Sequence, residues 1–258
     1  MTIDKNKILV GIGVVLTLIV FLSFIGNMLD LFTPAVGESK TYEIDGEINI
    51  LKVDISAADF RIVKGEGFSV VSNLERLSLK QSGDSLVLVE MGLGNRNYNG
   101  AFLTVCIPEG TVFEKIDIST GAGRFTADVI SAEKIDFELG AGEVNIGELN
   151  ATREADIEGG AGQITIGGGS LNNLSIDMGV GQLDLTSKII GEGALNLGVG
   201  EVKITLIGSR EDYTLKLNRG IGNILLEGEV ISDADLFGNG KNTLEINGGI
   251  GSIWVFFR

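Results

Sequence analysis

One tripeptide pattern restricts this chain more than any other feature: Gly-X-Gly with a small or branched apolar X, recurring at nearly constant intervals. The triplets are Gly121-Ala122-Gly123, Gly140-Ala141-Gly142, Gly160-Ala161-Gly162, Gly179-Val180-Gly181, Gly198-Val199-Gly200, Gly220-Ile221-Gly222 and Gly249-Ile250-Gly251. Successive first glycines lie 19, 20, 19, 19, 22 and 29 residues apart. A fixed period of this length marks a repeat architecture, in which each unit buries its apolar face only by stacking on its neighbours.

The flanks repeat with the triplets. Five residues before the first glycine stand Ile116, Ile135, Ala155, Leu174, Gly193, Leu215 and Leu244; three before it stand Ile118, Phe137, Ile157, Ile176, Leu195, Leu217 and Ile246. Four after it stand Phe125, Val144, Ile164, Leu183, Val202, Ile224 and Ile253; six after it stand Ala127, Ile146, Ile166, Leu185, Ile204, Leu226 and Val255. A spacing of two on both sides is the period of a strand with one face buried. Each unit therefore reads as strand, glycine corner, strand and return loop. It is too short for a βαβ unit. The expected fold is all-β: a β-solenoid-like stack of ~19–20-residue glycine-cornered repeats, roughly seven to eight coils at the ~4.8 Å strand spacing. A packed sandwich of hairpins has the same strand period and stays open as an alternative. The corner glycines supply positive φ and close backbone approach. A phosphate-cradling reading of the same glycines needs a following helix, and no helical spacing follows any of them.

Residues 8–32 are the second constraint. Ile8 to Ile25 carries no charge, and only Thr17 and Ser23 are polar. About 20 such residues span a bilayer. Lys5 and Lys7 precede the stretch while Asp30 and Glu38 follow it, which places the N-terminus in the cytoplasm and the rest outside. A cleaved signal peptide, with Thr33-Pro34-Ala35 as the small-residue site, is the alternative. Signal h-regions run to ~7–15 residues, so an uncleaved anchor is expected. Both readings export the β domain. The chain divides into a cytoplasmic N-terminus (1–7), a transmembrane anchor (8–32), a linker (33–40), an irregular β cap (41–112) and the β-repeat domain (113–258). Within the cap, residues 53–62 look like a degenerate unit. Leu77 to Lys80 and Leu86 to Val89 look like a hairpin turning at Ser82-Gly83-Asp84. The last unit, Ser252 to Arg258, is expected to end the stack, with Ile253, Val255 and Phe257 inward and Trp254 and Phe256 outward.

Several chemistries are excluded. The chain has no histidine, which removes histidine-based triads, zinc sites and pH switches. Its net charge of −15 opposes nucleic-acid binding and favours cationic partners, and it also keeps such a domain soluble. The single cysteine, Cys106, forms no intrachain disulfide and reads as a small core hydrophobe in Leu103-Thr104-Val105-Cys106-Ile107.

The order of these features resembles the bacterial "putative adhesin" β-strand-repeat family of envelope proteins. It comprises a membrane segment, a degenerate Val53-Asp54-Ile55-Ser56 unit, Leu103 to Pro108, and Gly-Ala-Gly units ending in Gly251-Ser252-Ile253. The likeness covers residues 40–258. It implies a surface-exposed, non-enzymatic domain, in some cases tied to envelope-stress systems, and it supplies no catalytic residues.

On the outward face, Asp136, Glu138, Asp156 and Glu158 fall on successive units and would form a carboxylate patch. Like charges ~5 Å apart repel. A Ca²⁺ ion held by hard oxygen ligands would relieve them, and so would Lys134 and Arg153 on a plain solvated face. Both readings stand at this point. Asn196, Asn218 and Asn247 share one column and suit an amide ladder. Polysaccharide cleavage would need paired carboxylates with basic partners, and these are sparse. The expected role is non-enzymatic binding or scaffolding at the cell envelope. The alternative is a regulatory partner of a neighbouring membrane protein in envelope-stress sensing.

Overall fold

The computed structural model describes residues 35–91, 97–218, 220–231 and 235–258. The predicted anchor at 8–32 lies outside them, and no helix among the described residues is long and apolar enough to cross a membrane. The described chain is all-β. Its strands are β1 (Val36–Glu43), β2 (Ile50–Gly65), β3 (Ser69–Leu74), β4 (Leu77–Ser82), β5 (Ser85–Glu90), β6 (Phe102–Pro108), β7 (Phe113–Ile166), β8 (Gly169–Leu206), β9 (Tyr213–Asn218), β10 (Ile221–Leu226), β11 (Glu229–Ile231), β12 (Asp235–Phe237), β13 (Asn242–Asn247) and β14 (Ile250–Phe257). A single 3₁₀ turn spans Arg210–Asp212. The lengths of β7 and β8, 54 and 38 residues, show that pairing runs unbroken through the corners.

Layers stack in parallel and in repeat register. Ile157 lies beside Ile176, Gly162 beside Gly181 and Ile164 beside Leu183. The inward columns predicted from the period are buried and join one core. A third inward set, including Ile130, Leu149, Ala151, Leu171 and Ile189, closes each layer on its return. Near the start of the stack the core is aromatic: Phe60 stacks on Phe125 at 4.7 Å, and Phe125 meets Phe137 edge-on at 5.9 Å. Where a column carries glycine, a neighbour fills the space. A Cβ on Gly193 would lie 2.8 Å from Leu244 Cδ1.

The corners explain why glycine recurs. A Cβ on Gly200 would fall 1.7 Å from the carbonyl oxygen of Gly181, and the Gly200 φ is +150°. The same contact repeats from Gly142 to Gly251 in the second triplet position. The middle residue instead projects away from the stack.

Layer order departs from chain order at both ends. The layer made by residues 242–257 does not end the stack. It inserts between the last layer of β8 and the layer of β9 and β10, because β13 pairs with both β8 and β9, and β14 with both β8 and β10. This accounts for the two irregular spacings. After Leu206 the chain climbs past a layer that is not yet filled, which lengthens the interval to 22 residues. It then adds β11 and β12 as antiparallel edges on β10 and β9 before returning, which lengthens the last interval to 29. The first unit behaves alike. Residues 50–62 of β2 pair in register with 115–127 of β7, so β2 is a full layer, and β5 and β6 form a further layer outside it. β4 covers β5, and β3 then β1 cover β6, all antiparallel. Residues 36–40, read from sequence as linker, belong to β1. The hairpin at 77–89 forms as expected, turning at Gly83 with φ +60°.

Two side-chain expectations change. Cys106 faces outward and is only partly covered, because Leu103, Val105 and Ile107 take the inward positions of β6. The outward set of its strand is Phe102, Thr104, Cys106 and Pro108, in which Thr104 alone marks the alternation. Phe257 is half-buried at the margin of the core, against Tyr213 at 5.9 Å. Trp254 lies outward as expected, between Lys203 and Leu225.

Gly200→Ala is expected to destabilise the fold by about 2–4 kcal/mol, since backbone must move and a left-handed φ is imposed on a residue with Cβ. That corresponds to a fall in melting temperature of roughly 5–10 °C for a domain this size. Gly67→Ala, where a Cβ would meet nothing within 4 Å, should leave it unchanged. Thermal unfolding followed by circular dichroism checks both.

Candidate interaction face

The outward surface next to the corners is built from three parallel rows. The first is the corner itself. Gly-X-Gly pins the backbone, so each X side chain stands beyond two residues that have none. Register places Ala57 beside Ala122, Ala161 beside Val180, Val199 beside Ile250, and Ile250 beside Ile221. The side chains grow from alanine through valine to isoleucine along the stack, away from the end where β1 begins. Val180, Val199, Ile250 and Ile221 are 55%, 46%, 52% and 73% exposed. They are four of the nine exposed large hydrophobic residues in the described structure, and they are contiguous. Sequence reading found the middle residue apolar but did not place it outward. The signal was available, since an apolar residue between two corner glycines cannot also face the core.

The second row lies two residues before each corner and carries Ser119, Glu138, Glu158, Asp177, Asn196, Asn247 and Asn218. From Ser119 to Asn196, with the adjoining corner backbone, it lines an open trough of about 820 Å³ beside the apolar ridge. Its far half is an amide ladder. Asn218 Nδ2 donates to Asn247 Oδ1 at 2.7 Å, Asn247 Nδ2 to Asn196 Oδ1 at 2.9 Å, and Asn196 Nδ2 to Asp177 Oδ1 at 2.8 Å. The ladder expected from sequence is present, in the order that the inserted layer dictates. Its near half carries Glu138 and Glu158. Among the described residues no cation forms an ion pair with either.

The third row, four residues before each corner, is largely neutralised. Lys52 reaches Asp117 at 3.1 Å, while Lys115 reaches Asp117 at 3.4 Å and Asp136 at 3.2 Å. Lys134 pairs with Glu154, and Arg153 with Glu133, rather than with the carboxylates proposed for them. Asp156 is the exception. Partial burial, and then the like charges of Asp136 and Asp177, raise its pKa above the usual carboxylate value, against a weaker opposing hydrogen bond involving Ser175. The four predicted calcium ligands thus occupy two rows, with Asp136 and Asp156 on one and Glu138 and Glu158 on the other. Among the described residues no three acidic, histidine or cysteine side chains are grouped to hold a metal ion.

A fourth feature was not legible in the sequence. Glu90 is nearly buried at the outermost layer, where the corner is replaced by a longer connection. Its carboxylate accepts Ser56 N–H at 2.9 Å and Tyr98 O–H at 2.7 Å, so a side chain ends the corner ladder there.

Stacked parallel layers, glycine corners and antiparallel end strands define a glycine-cornered β-solenoid. Residues 63–234 match the Toastrack DUF4097 family, and the chain belongs to that family. Among solved structures it is similar to a "putative cell adhesion protein" from Clostridium sporogenes. That match has 15% identity and a TM-score of 0.37, and covers 86% of this chain and 99% of that one. It is also similar to a "putative adhesin" from Bacteroides fragilis (11% identity, TM-score 0.42, 84% and 96% covered) and a "putative lipid binding protein" from Parabacteroides distasonis (14%, 0.41, 84% and 97%). Comparison with curated protein sequences gave no match.

The raised pKa of Asp156 means that charging it opposes folding. The penalty is present above the raised folded-state value and is gone once pH falls below the ordinary carboxylate value. Asp156→Asn should therefore raise the melting temperature at neutral pH. The gain should be roughly 1 °C, given the screening of a surface charge, and should vanish near about pH 3. Melting curves across pH check this.

Proposed function

We propose that this chain is a membrane-anchored, extracytoplasmic binding or scaffolding module of the cell envelope that catalyses no reaction, and that the corner ridge is its contact surface. The carrying observation is the contiguous exposure of Val180, Val199, Ile250 and Ile221 on a backbone that does not need them. The same corner position is alanine in four other layers, so the larger side chains are not required by the fold. An exposed apolar row costs solubility, and large exposed apolar patches mark contact surfaces. The charge around the ridge sets the partner's chemistry. Asp177, with Glu158 and Glu138 in the layers beyond it, flanks one end and amides flank the other, which suits a surface that is apolar and cationic or neutral, and repels an anionic one. The rows are held by a ladder continuous on both sides, so binding would order little of the protein, which favours affinity.

Membrane placement rests on residues 8–32. With an epitope after Arg258, protease added to intact cells should remove the epitope, while the shortened anchor stays in the carbonate-washed membrane. Full protection of the epitope would sink the topology.

The ridge is tested separately. A Val180→Ser, Val199→Ser, Ile250→Ser variant should keep the wild-type melting temperature to within about 2 °C. It should lose at least about tenfold in retention of envelope components captured by the wild-type chain, read by quantitative mass spectrometry. Equal capture by both chains would show that the ridge is not the contact surface.

A further inference from the structure

We propose that residues 242–258 are a separable clasp, and that the slot they fill is a recognition site for the same segment of a second copy, so that copies join by exchanging it. Unlike the other repeat layers beyond β2, this one arrives after both of its neighbours have been laid down, and it is gripped from both sides. Its first strand pairs with β8 on one face and β9 on the other, and its second strand with β8 and β10. Without it, the strands flanking the slot would be two layers apart, roughly 9–10 Å at the usual strand spacing, with two unpaired edges facing each other.

The slot is specific for its occupant. Leu244 takes the core space left by Gly193. Asn242 is buried, donates to the Asp212 carbonyl at 3.1 Å and accepts Gly191 N–H at 3.2 Å. Asn247 joins the ladder on both sides. Arg258 closes the segment by donating its N–H to the Leu206 carbonyl at 2.9 Å and accepting Gly208 N–H at 2.9 Å.

The connection is short and tight. Four residues, 238–241, pass from the outer edge strand β12 over β9 to reach the slot. Gly238 has φ +77°, and a Cβ on Gly240 would lie 2.1 Å from Asp212 backbone. Every contact of the clasp is the same whether the segment comes from its own chain or another. Only the cost of this crossing and of association distinguishes the two, and this is the condition under which exchange between identical chains is inexpensive. Copies confined to one membrane would meet at high effective concentration.

The test uses the full chain with a protease site inserted after the exposed Asn239. The uncut protein first has to show a wild-type melt. After cleavage, the C-terminal fragment should stay with the body on size exclusion. A fluorescent synthetic peptide of residues 242–258 should then replace it, while the same peptide with Leu244→Asp and Gly249→Val should not be taken up. Loss of the fragment with no uptake of the peptide overturns the proposal, as does global unfolding on cleavage. A second variant, deleting Asn239 and Gly240, makes the crossing too short for one chain. Light scattering should report a folded dimer, and a folded monomer would overturn exchange. If that variant does not fold, the peptide result decides.

Discussion

The contact between corner glycines sets the terms for everything else in this molecule. Carbonyl oxygens of one layer occupy the space in which the next layer's Cβ atoms would sit, and the approach repeats along the stack. No other residue tolerates both that distance and the positive φ. Once the corner is fixed, the strands on either side have no freedom of register. A slip of one residue would put a side chain into the corner and turn each inward column to solvent. The constraint acts on the backbone, so it leaves the outward side chains free to vary.

That division explains what was legible in the sequence. Columns such as Ile118, Phe137, Ile157, Ile176 and Leu195 recur because burial selects them layer by layer, and local spacing reveals them. The order of layers was not legible. Every repeat presents nearly the same backbone interface above and below, so the strand period of residues 242–257 does not by itself distinguish the slot beside β8 from the open end of the stack. Only the intervals of 22 and 29 residues carried the information, as extra chain needed to climb past a vacant layer and to add edge strands. The orientation of Cys106 was hidden for another reason, since the outward face of its strand carries Phe102 and Pro108 and only Thr104 marks the alternation. The outward acids were found by type and column, but pairing was not. Lys115 reaches Asp136 across the layers, whereas Lys134 and Arg153 choose other carboxylates.

The outer surface is not uniform in charge even though the chain is strongly acidic. Several outward carboxylates, among them Asp117, Asp136, Glu143, Glu154 and Asp184, meet a lysine or arginine one layer away. These exposed pairs each contribute little to stability, but they remove net charge from their rows. Glu138 and Glu158 keep theirs, and they lie in the same layers as the small end of the apolar ridge. Val180 lies beside Asp177, and Val199, Ile250 and Ile221 lie beside Asn196, Asn247 and Asn218, whose hydrogen bonds run along the stack. Charge and apolar area thus grade along one line: Glu138 and Glu158 lie with alanine corners, Asp177 with Val180, and the amides with Val199, Ile250 and Ile221. A partner recognised by such a line would be read by its polarity along the axis as well as by its composition.

Stacked parallel layers leave two open edges, which is the hazard of any solenoid. Here both ends solve it in the same way. The first and last full repeats of the chain are held inside, an outer layer is laid beyond each, and antiparallel strands finish the edge. The finishing strands at the far end, β11 and β12, are only three residues long, which leaves little backbone for another chain to extend. Holding the last repeat inside also changes how the stack comes apart. An outermost final layer could fray alone at the cost of one interface. An inserted one has two interfaces to lose, and its departure strips support from β9, β10 and both edge strands. The arrangement therefore converts the last repeat, which placed outermost would be the weakest part of the stack, into a part whose loss opens the whole far end, and cooperativity along the stack follows from the order in which its layers are placed.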